Sequence, residues 1–483
     1  MKKFLNKLPT ILLYFLPAIL FFSYHPVISL GSNNYMNFDL SLPEIWLVLF
    51  LFSLLPKAKS IIKFYGAKKL LISSIIPVYF SLSAIWSDNH IRAILTSGIL
   101  WLLLFTVLGI IMLIKEKKNL RMELLKILLI SAYFISAICI LQCILDLFGV
   151  GREYTLLCKG CTYTAFGFPH PNGFAIEPQF MGNLLLVPTL LSFYLIYKHA
   201  YKSQKQKIIL SLLTVFLTTT LFLTLSRGAI YAFVIGLATL FIVCSIKHYS
   251  LIKAKLKQAV FSVVIVLVAL SLSLVSEGIF AQVSPTNDTF YSGVTKAIHQ
   301  LSLGKLDFRP AEIIELTENT TSSEAAAEAK DADSETSTFS GYVPESTNIR
   351  LGFNSLAIDT WRSNPRYLLI GTGLGSAGIA MNKTYPESTG AKEIVQNEYL
   401  SLLLEVGVIG VTIIILIAIY AVRKTPKNPL LIATVVSFAF SLLFFSGLPN
   451  ALHIYILPVL FITGAKDNLF IKDKVKCHCH QRH

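Results

Sequence analysis

The chain has 483 residues, 54% hydrophobic and only 14% charged, with a mean hydropathy of +0.64. That balance excludes a soluble globule, whose surface needs roughly a quarter of the residues to be charged. The net charge of +15 is spread over short loops without interleaved aromatic residues, so it does not point to a nucleic-acid partner, and the chain reads as an all-α integral membrane protein.

Apolar runs of helix-spanning length, about 20 residues, start near Pro9, Ile45, Leu70, Ile94, Leu124, Gly173, Ile208, Ala229, Ala259, Leu400, Leu430 and Ala451. They predict about 12 transmembrane helices. The run Ile45 to Leu55 reaches span length only with Leu40 to Glu44 counted, and Thr10 to Ile28 is the expected first span, with no small-residue cleavage site after it. Lysines and arginines gather at every second connection: Lys2 to Lys7, Lys57 to Lys69, Lys115 to Lys126, Lys198 to Lys207, Lys247 to Lys257, Arg423 to Lys427 and Lys466 to Arg482, which together hold 29 of the 42. Basic loops stay on the cytoplasmic side, so both termini are expected in the cytoplasm of a multi-pass protein.

The expected organisation is nine spans within residues 1–275, a large outer-face segment over 276–398, three spans within 399–465 and a cytoplasmic tail over 466–483. The centre of the outer segment, about 317–347, is rich in Glu, Ser, Thr and Ala and reads as a disordered acidic linker. Its second half returns to helical spacing at Leu351, Leu356, Ile358 and Trp361, and is stopped by Asn364 and Pro365. The turn Gly371-Thr372-Gly373-Leu374-Gly375 follows without the strand that a dinucleotide site requires. Cys158 and Cys161 in an outer loop leave a short disulfide, free thiols or a metal site open, and the Cys477-His478-Cys479-His480 tail is read as a frayed terminus rather than a metal site.

Three polar stretches at outer span ends carry the candidate chemistry. Leu223 to Ala229 is a tight hairpin that places Arg227 at the lipid boundary, where a guanidinium either snorkels or meets an anion. Phe168 to Phe180 brings His170 and Asn172 close to Glu177, a carboxylate entering an apolar run one residue before a proline. Val395 to Gly410 is a polar entry into a span, with Gly407 and Gly410 expected to permit close helix packing.

The order SRGA after a span, then Arg350 fifteen residues before Pro365 with GTGLG behind it, then QNEYLSLLLEVGVIG, resembles the O-antigen ligase and polymerase family of bacterial membrane glycosyltransferases over about Gly167 to Gly410. The resemblance implies transfer of a glycan from a polyprenyl-diphosphate carrier to an acceptor hydroxyl on the outer face of the bacterial cytoplasmic membrane, with no cofactor or metal. The partners it implies are the lipid-linked glycan, a lipid or glycan acceptor and the membrane itself. Under that reading Arg227 and Arg350 stabilise the leaving diphosphate, with Arg362 and Arg366 as further candidates. Members of the family resemble one another in a His-Asn pair whose His is proposed to activate the acceptor, whereas this chain has Gln396-Asn397. Glutamine is no base. Glu398, Glu177 or His170 could take the proton instead, the first two being favoured, or Gln396 could position an acceptor whose reaction is driven by the leaving group. Substrate-binding candidates are His170, Asn172, Asn397, Arg362 and Arg366. The rival readings are a lipid-linked oligosaccharide flippase, disfavoured because no internal repeat is visible and the polar candidates share one face, and a receptor or scaffold, which leaves Arg227 and Arg350 without a purpose.

Overall fold

The computed structural model describes residues 2–32, 37–117, 119–157, 169–201, 203–246, 252–284, 288–303, 305–306, 308, 339–389, 395–425, 428–447 and 451–462. The paired cysteines 158 and 161, the histidine-rich tail and most of the acidic linker lie outside those residues. Among the described residues, eight helices are long and apolar enough to cross a membrane: Leu42–Tyr65, His90–Glu116, Leu120–Leu147, Pro178–Tyr197, Gln204–Leu223, Arg227–Ile246, Leu256–Val283 and Glu398–Lys424. The four other expected runs fall on shorter helices, Lys7–Ile19, Pro429–Ser441, Leu452–Phe461 and Ala67–Ser83.

Two boundaries differ from the sequence expectation. The first helix stops at Ile19, because the polar Ser23 to His25 stretch and Pro26 cannot continue it. In its place Val27–Ser32 pairs antiparallel with Asn37–Ser41, a small hairpin in an otherwise helical fold. The helix expected to end near Val275 runs on to Val283. A further helix, Phe290–Leu301, then packs against its end, with Gly293 lying against the Glu277 carbonyl and Ala281.

Pro178–Tyr197 is the axis of the bundle. Its apolar window is 94% buried, against 22–50% for the other seven spans, so it faces protein rather than lipid on every side. Its buried threonine and serine hydroxyls bond back within the helix: Thr189 donates to Leu185 O at 2.7 Å and Ser192 to the Pro188 carbonyl at 3.0 Å. This placement brings the start of the helix to the middle of one end of the bundle.

Glu398–Lys424 is broken at Gly407, which has φ 63° and ψ −175°. The break frees three carbonyls, and all three find donors: Thr372 N bonds Leu404 O and Gly373 N bonds Glu405 O, both at 2.9 Å, while Tyr79 OH bonds Val406 O at 3.0 Å. The glycine-rich turn is thus stitched backbone to backbone into a helix break. Gly407 permits the close packing expected from its spacing, with the backbone of Leu369 and Gly371 against it, and is also the point where the helix breaks, while Gly410 lies against the Tyr79 ring.

Candidate active site

Three long helices begin around one loop, Leu442 to Gly447. At the start of Pro178–Tyr197, Gln179 Nε2 donates to Phe444 O at 2.8 Å, and Phe180 packs edge-on to Phe445 with ring centroids 4.7 Å apart. At the start of Arg227–Ile246, Gly228 lies so close to Phe444 that a Cβ would stand 3.0 Å from the Phe444 side chain. At the start of Glu398–Lys424, the Glu398 carboxylate accepts from Ser446 Oγ at 2.9 Å and Gly447 N at 2.7 Å, and Glu398 N donates to Leu442 O at 3.0 Å. Each helix start carries roughly half a positive charge from its aligned peptide dipoles, so this end of the bundle is electropositive before any side chain is counted.

The hairpin bearing Arg227 is set by its neighbours. Gln204–Leu223 ends, Leu225 takes φ 43°, and the chain turns into the next helix with Arg227 as its first residue. Gly182, on the second turn of the axial helix, leaves the space in which Thr224, Ser226 and Ala229 sit: a Cβ there would lie 2.7–3.4 Å from them. Arg227 is half-buried. Ser226 is 8% exposed and its hydroxyl has no hydrogen-bond partner among the described residues.

The loop before the axial helix is clamped by Gln142, whose amide bonds Gly173 N at 2.9 Å, Gly173 O at 2.7 Å and Thr155 O at 2.8 Å. His170 is buried, and its Nδ1 faces Leu223 O at 3.3 Å, which makes Nδ1 the protonated nitrogen. Burial holds its pKa down to about 4, against the opposing pull of the Leu223 carbonyl. The Asn172 amide donates to Leu156 O at 3.1 Å and to Ala175 O, so this side chain braces the loop. Glu177 stands at the cap of the axial helix with an exposed side chain. The protein around it nevertheless raises its pKa, and the nearby Arg350 charge opposes the rise.

The remaining candidates divide. Gln396 is exposed at the mouth of the Glu398 helix, while Asn397 Oδ1 caps that helix by accepting from Tyr399 N at 3.1 Å and Leu400 N at 3.2 Å. Arg366 donates to Trp86 O, tying the outer segment to the turn after Ala67–Ser83, and Arg362 is exposed. Arg350 is thus close enough to Glu177 for their charges to interact, and the starts of the Arg227 and Glu398 helices gather on the Phe444 loop. Glu398 is engaged as an anchor: Glu398→Gln is expected to cost about 1–3 kcal/mol of stability by weakening two buried bonds, read as a lowered melting temperature.

Sequence reasoning passed over three features. The Phe444-Phe445-Ser446-Gly447 hub carries no motif. Arg92, beside Gly375 and close enough to the buried Glu405 carboxyl for their charges to interact, is one arginine among many. Glu277, fully buried with neither carboxyl oxygen bonded among the described residues, could have been found as a lone acid in an apolar run.

Residues 212–415 match the family model described as O-antigen ligase. The matched region contains Arg227, Arg350, Arg362, Arg366, Gln396, Asn397 and Glu398, and leaves out His170, Asn172 and Glu177. No curated protein and no solved structure matches the chain.

Proposed function

We propose that this chain, which belongs to the O-antigen ligase family, transfers a glycan from a polyprenyl-diphosphate carrier to an acceptor hydroxyl at the outer face of the bacterial cytoplasmic membrane. The observation that carries the reading is the meeting of three helix starts on the Leu442 to Gly447 loop, with Arg227 opening one of them. Aligned helix dipoles and a guanidinium at a membrane boundary suit a diphosphate whose lipid tail stays in the bilayer.

In the reaction the acceptor oxygen attacks the anomeric carbon, the bond from that carbon to the phosphate oxygen breaks, and the diphosphate leaves with the electron pair. Arg227 and the helix starts stabilise the charge that grows on the leaving oxygen. The acceptor proton goes to Glu177 rather than Glu398. Glu398 spends its carboxylate on Ser446 and Gly447, whereas Glu177 is exposed with its pKa raised toward the working range of a base. Arg350, beside Glu177, keeps that carboxylate ionised and serves as the second diphosphate contact. Gln396 positions the acceptor by hydrogen bonds without taking its proton.

The test is release of diphosphate carrier from a polyprenyl-diphosphate glycan in proteoliposomes with acceptor present. Because the pKa of Glu177 is raised, the native rate falls on acidification at a pH above the ordinary carboxylate range. Glu177→Gln loses about 100-fold in rate and abolishes that acid limb. Movement of intact lipid-linked glycan across the bilayer with no carrier released makes the protein a transporter and ends the enzyme reading.

A further inference from the structure

The serine before Arg227 occupies the position from which a side-chain oxygen ordinarily caps a helix by accepting from an amide two or three residues on. Ser226 does not do so. Its carbonyl closes the first turn, accepting from Ile230 N at 2.9 Å, and its own N–H reaches Thr224 Oγ1 at 3.4 Å, but its hydroxyl has no partner among the described residues although the residue is only 8% exposed. Leu225, immediately before it, is held at φ 43°, a conformation that a branched side chain resists. The turn therefore presents this hydroxyl in one fixed place. That place lies against the axial helix, because Ser226 Cβ is 3.4 Å from where a Cβ on Gly182 would stand.

A buried hydroxyl is seldom left without a bond. Ser226 stands at the start of the Arg227–Ile246 helix, whose first amides are donors, as is the guanidinium of Arg227, so a ligand shared with this hydroxyl is an acceptor with several oxygens. We propose that Ser226 Oγ donates a hydrogen bond to a phosphate oxygen of the diphosphate-linked donor, making Ser226 a substrate-binding residue in its own right. The inference rests on the diphosphate reading of the Arg227 site and adds to it a neutral donor that fixes the anion's orientation. A guanidinium and helix dipoles attract charge, while a single short hydroxyl selects one oxygen.

The test uses the full chain in phosphatidylcholine nanodiscs, with inorganic pyrophosphate as probe, and measures both affinity and melting temperature. Ser226→Ala is expected to weaken pyrophosphate binding about tenfold, the worth of one hydrogen bond to a charged group, and to leave the melting temperature unchanged because no cap bond is lost. Ser226→Cys, with a weak S–H donor, falls between the two. A lowered melting temperature with unchanged affinity identifies an ordinary cap, and no change in either identifies a hydroxyl that meets water alone; each overturns the proposal. If phosphatidylglycerol competes with pyrophosphate in the native protein and not in Ser226→Ala, the site belongs to lipid headgroups and the donor assignment fails. Arg227→Ala separates the two levels. If that variant binds pyrophosphate as well as the native protein, the diphosphate reading itself is wrong, whereas loss there with no loss in Ser226→Ala overturns only the role of the serine.

Discussion

Arg227→Ala is expected to slow carrier release by about 10²–10³-fold at saturating donor, the range found when one preorganised donor to a developing oxyanion is removed. Arg227 opens a 20-residue helix, so in the proposed reaction its charge and the positive end of the helix dipole both favour the leaving oxygens, with the side chain as the larger contributor. Arg227→Lys should recover only part of the rate, since an ammonium offers a point charge where a guanidinium offers a planar fork. The check is single-turnover carrier release in proteoliposomes, with melting temperature measured alongside. Equal rates in native and Ala proteins would remove Arg227 from the chemistry.

The second large effect concerns stability. Gly407→Ala puts a Cβ 2.4 Å from Leu369 O and 2.6 Å from Gly371 N, at a residue with φ 63°. Neither neighbour is a flexible side-chain end. The left-handed conformation alone costs about 1–2 kcal/mol for a residue with a Cβ, and the clash pushes the glycine-rich turn off the freed carbonyls of Leu404 and Glu405. A total of about 3 kcal/mol or more is expected, read as a large drop in thermal midpoint in detergent together with loss of transfer. Gly98→Ala is the control: nothing lies within 4 Å of its Cβ position, so its midpoint should stay or rise slightly.

The helices were legible because lipid imposes a length and an apolar composition that a sequence must display openly, and each of the twelve expected runs falls on a helix. Their ends were less so. The extension from Val275 to Val283 depends on the packing of Phe290–Leu301 against it, not on hydropathy. At the site, Arg227, Glu177 and Glu398 stood out as charges beside apolar runs, yet their roles diverge for reasons invisible locally. Glu398 is occupied by Ser446 and Gly447, 48 and 49 residues away, and Glu177 meets Arg350 across the outer segment. Gly407 illustrates the same limit. Its spacing from Gly410 suggested helix packing, and only the partners of Leu404, Glu405 and Val406 reveal a broken helix.

The axial helix has a consequence for how the protein is made. Pro178–Tyr197 is the most enclosed of the eight long spans and also the least hydrophobic, with a mean hydropathy of 1.6, lowered by Asn183, Pro188, Thr189 and Ser192. A segment of that composition has little drive of its own to leave the insertion channel for lipid. Its natural solvent is the set of helices that will surround it, chiefly Gln204–Leu223, Arg227–Ile246 and Pro429–Ser441, all synthesised after it. Membrane integration of this span is thus a cooperative event in which the nascent chain waits for its later neighbours.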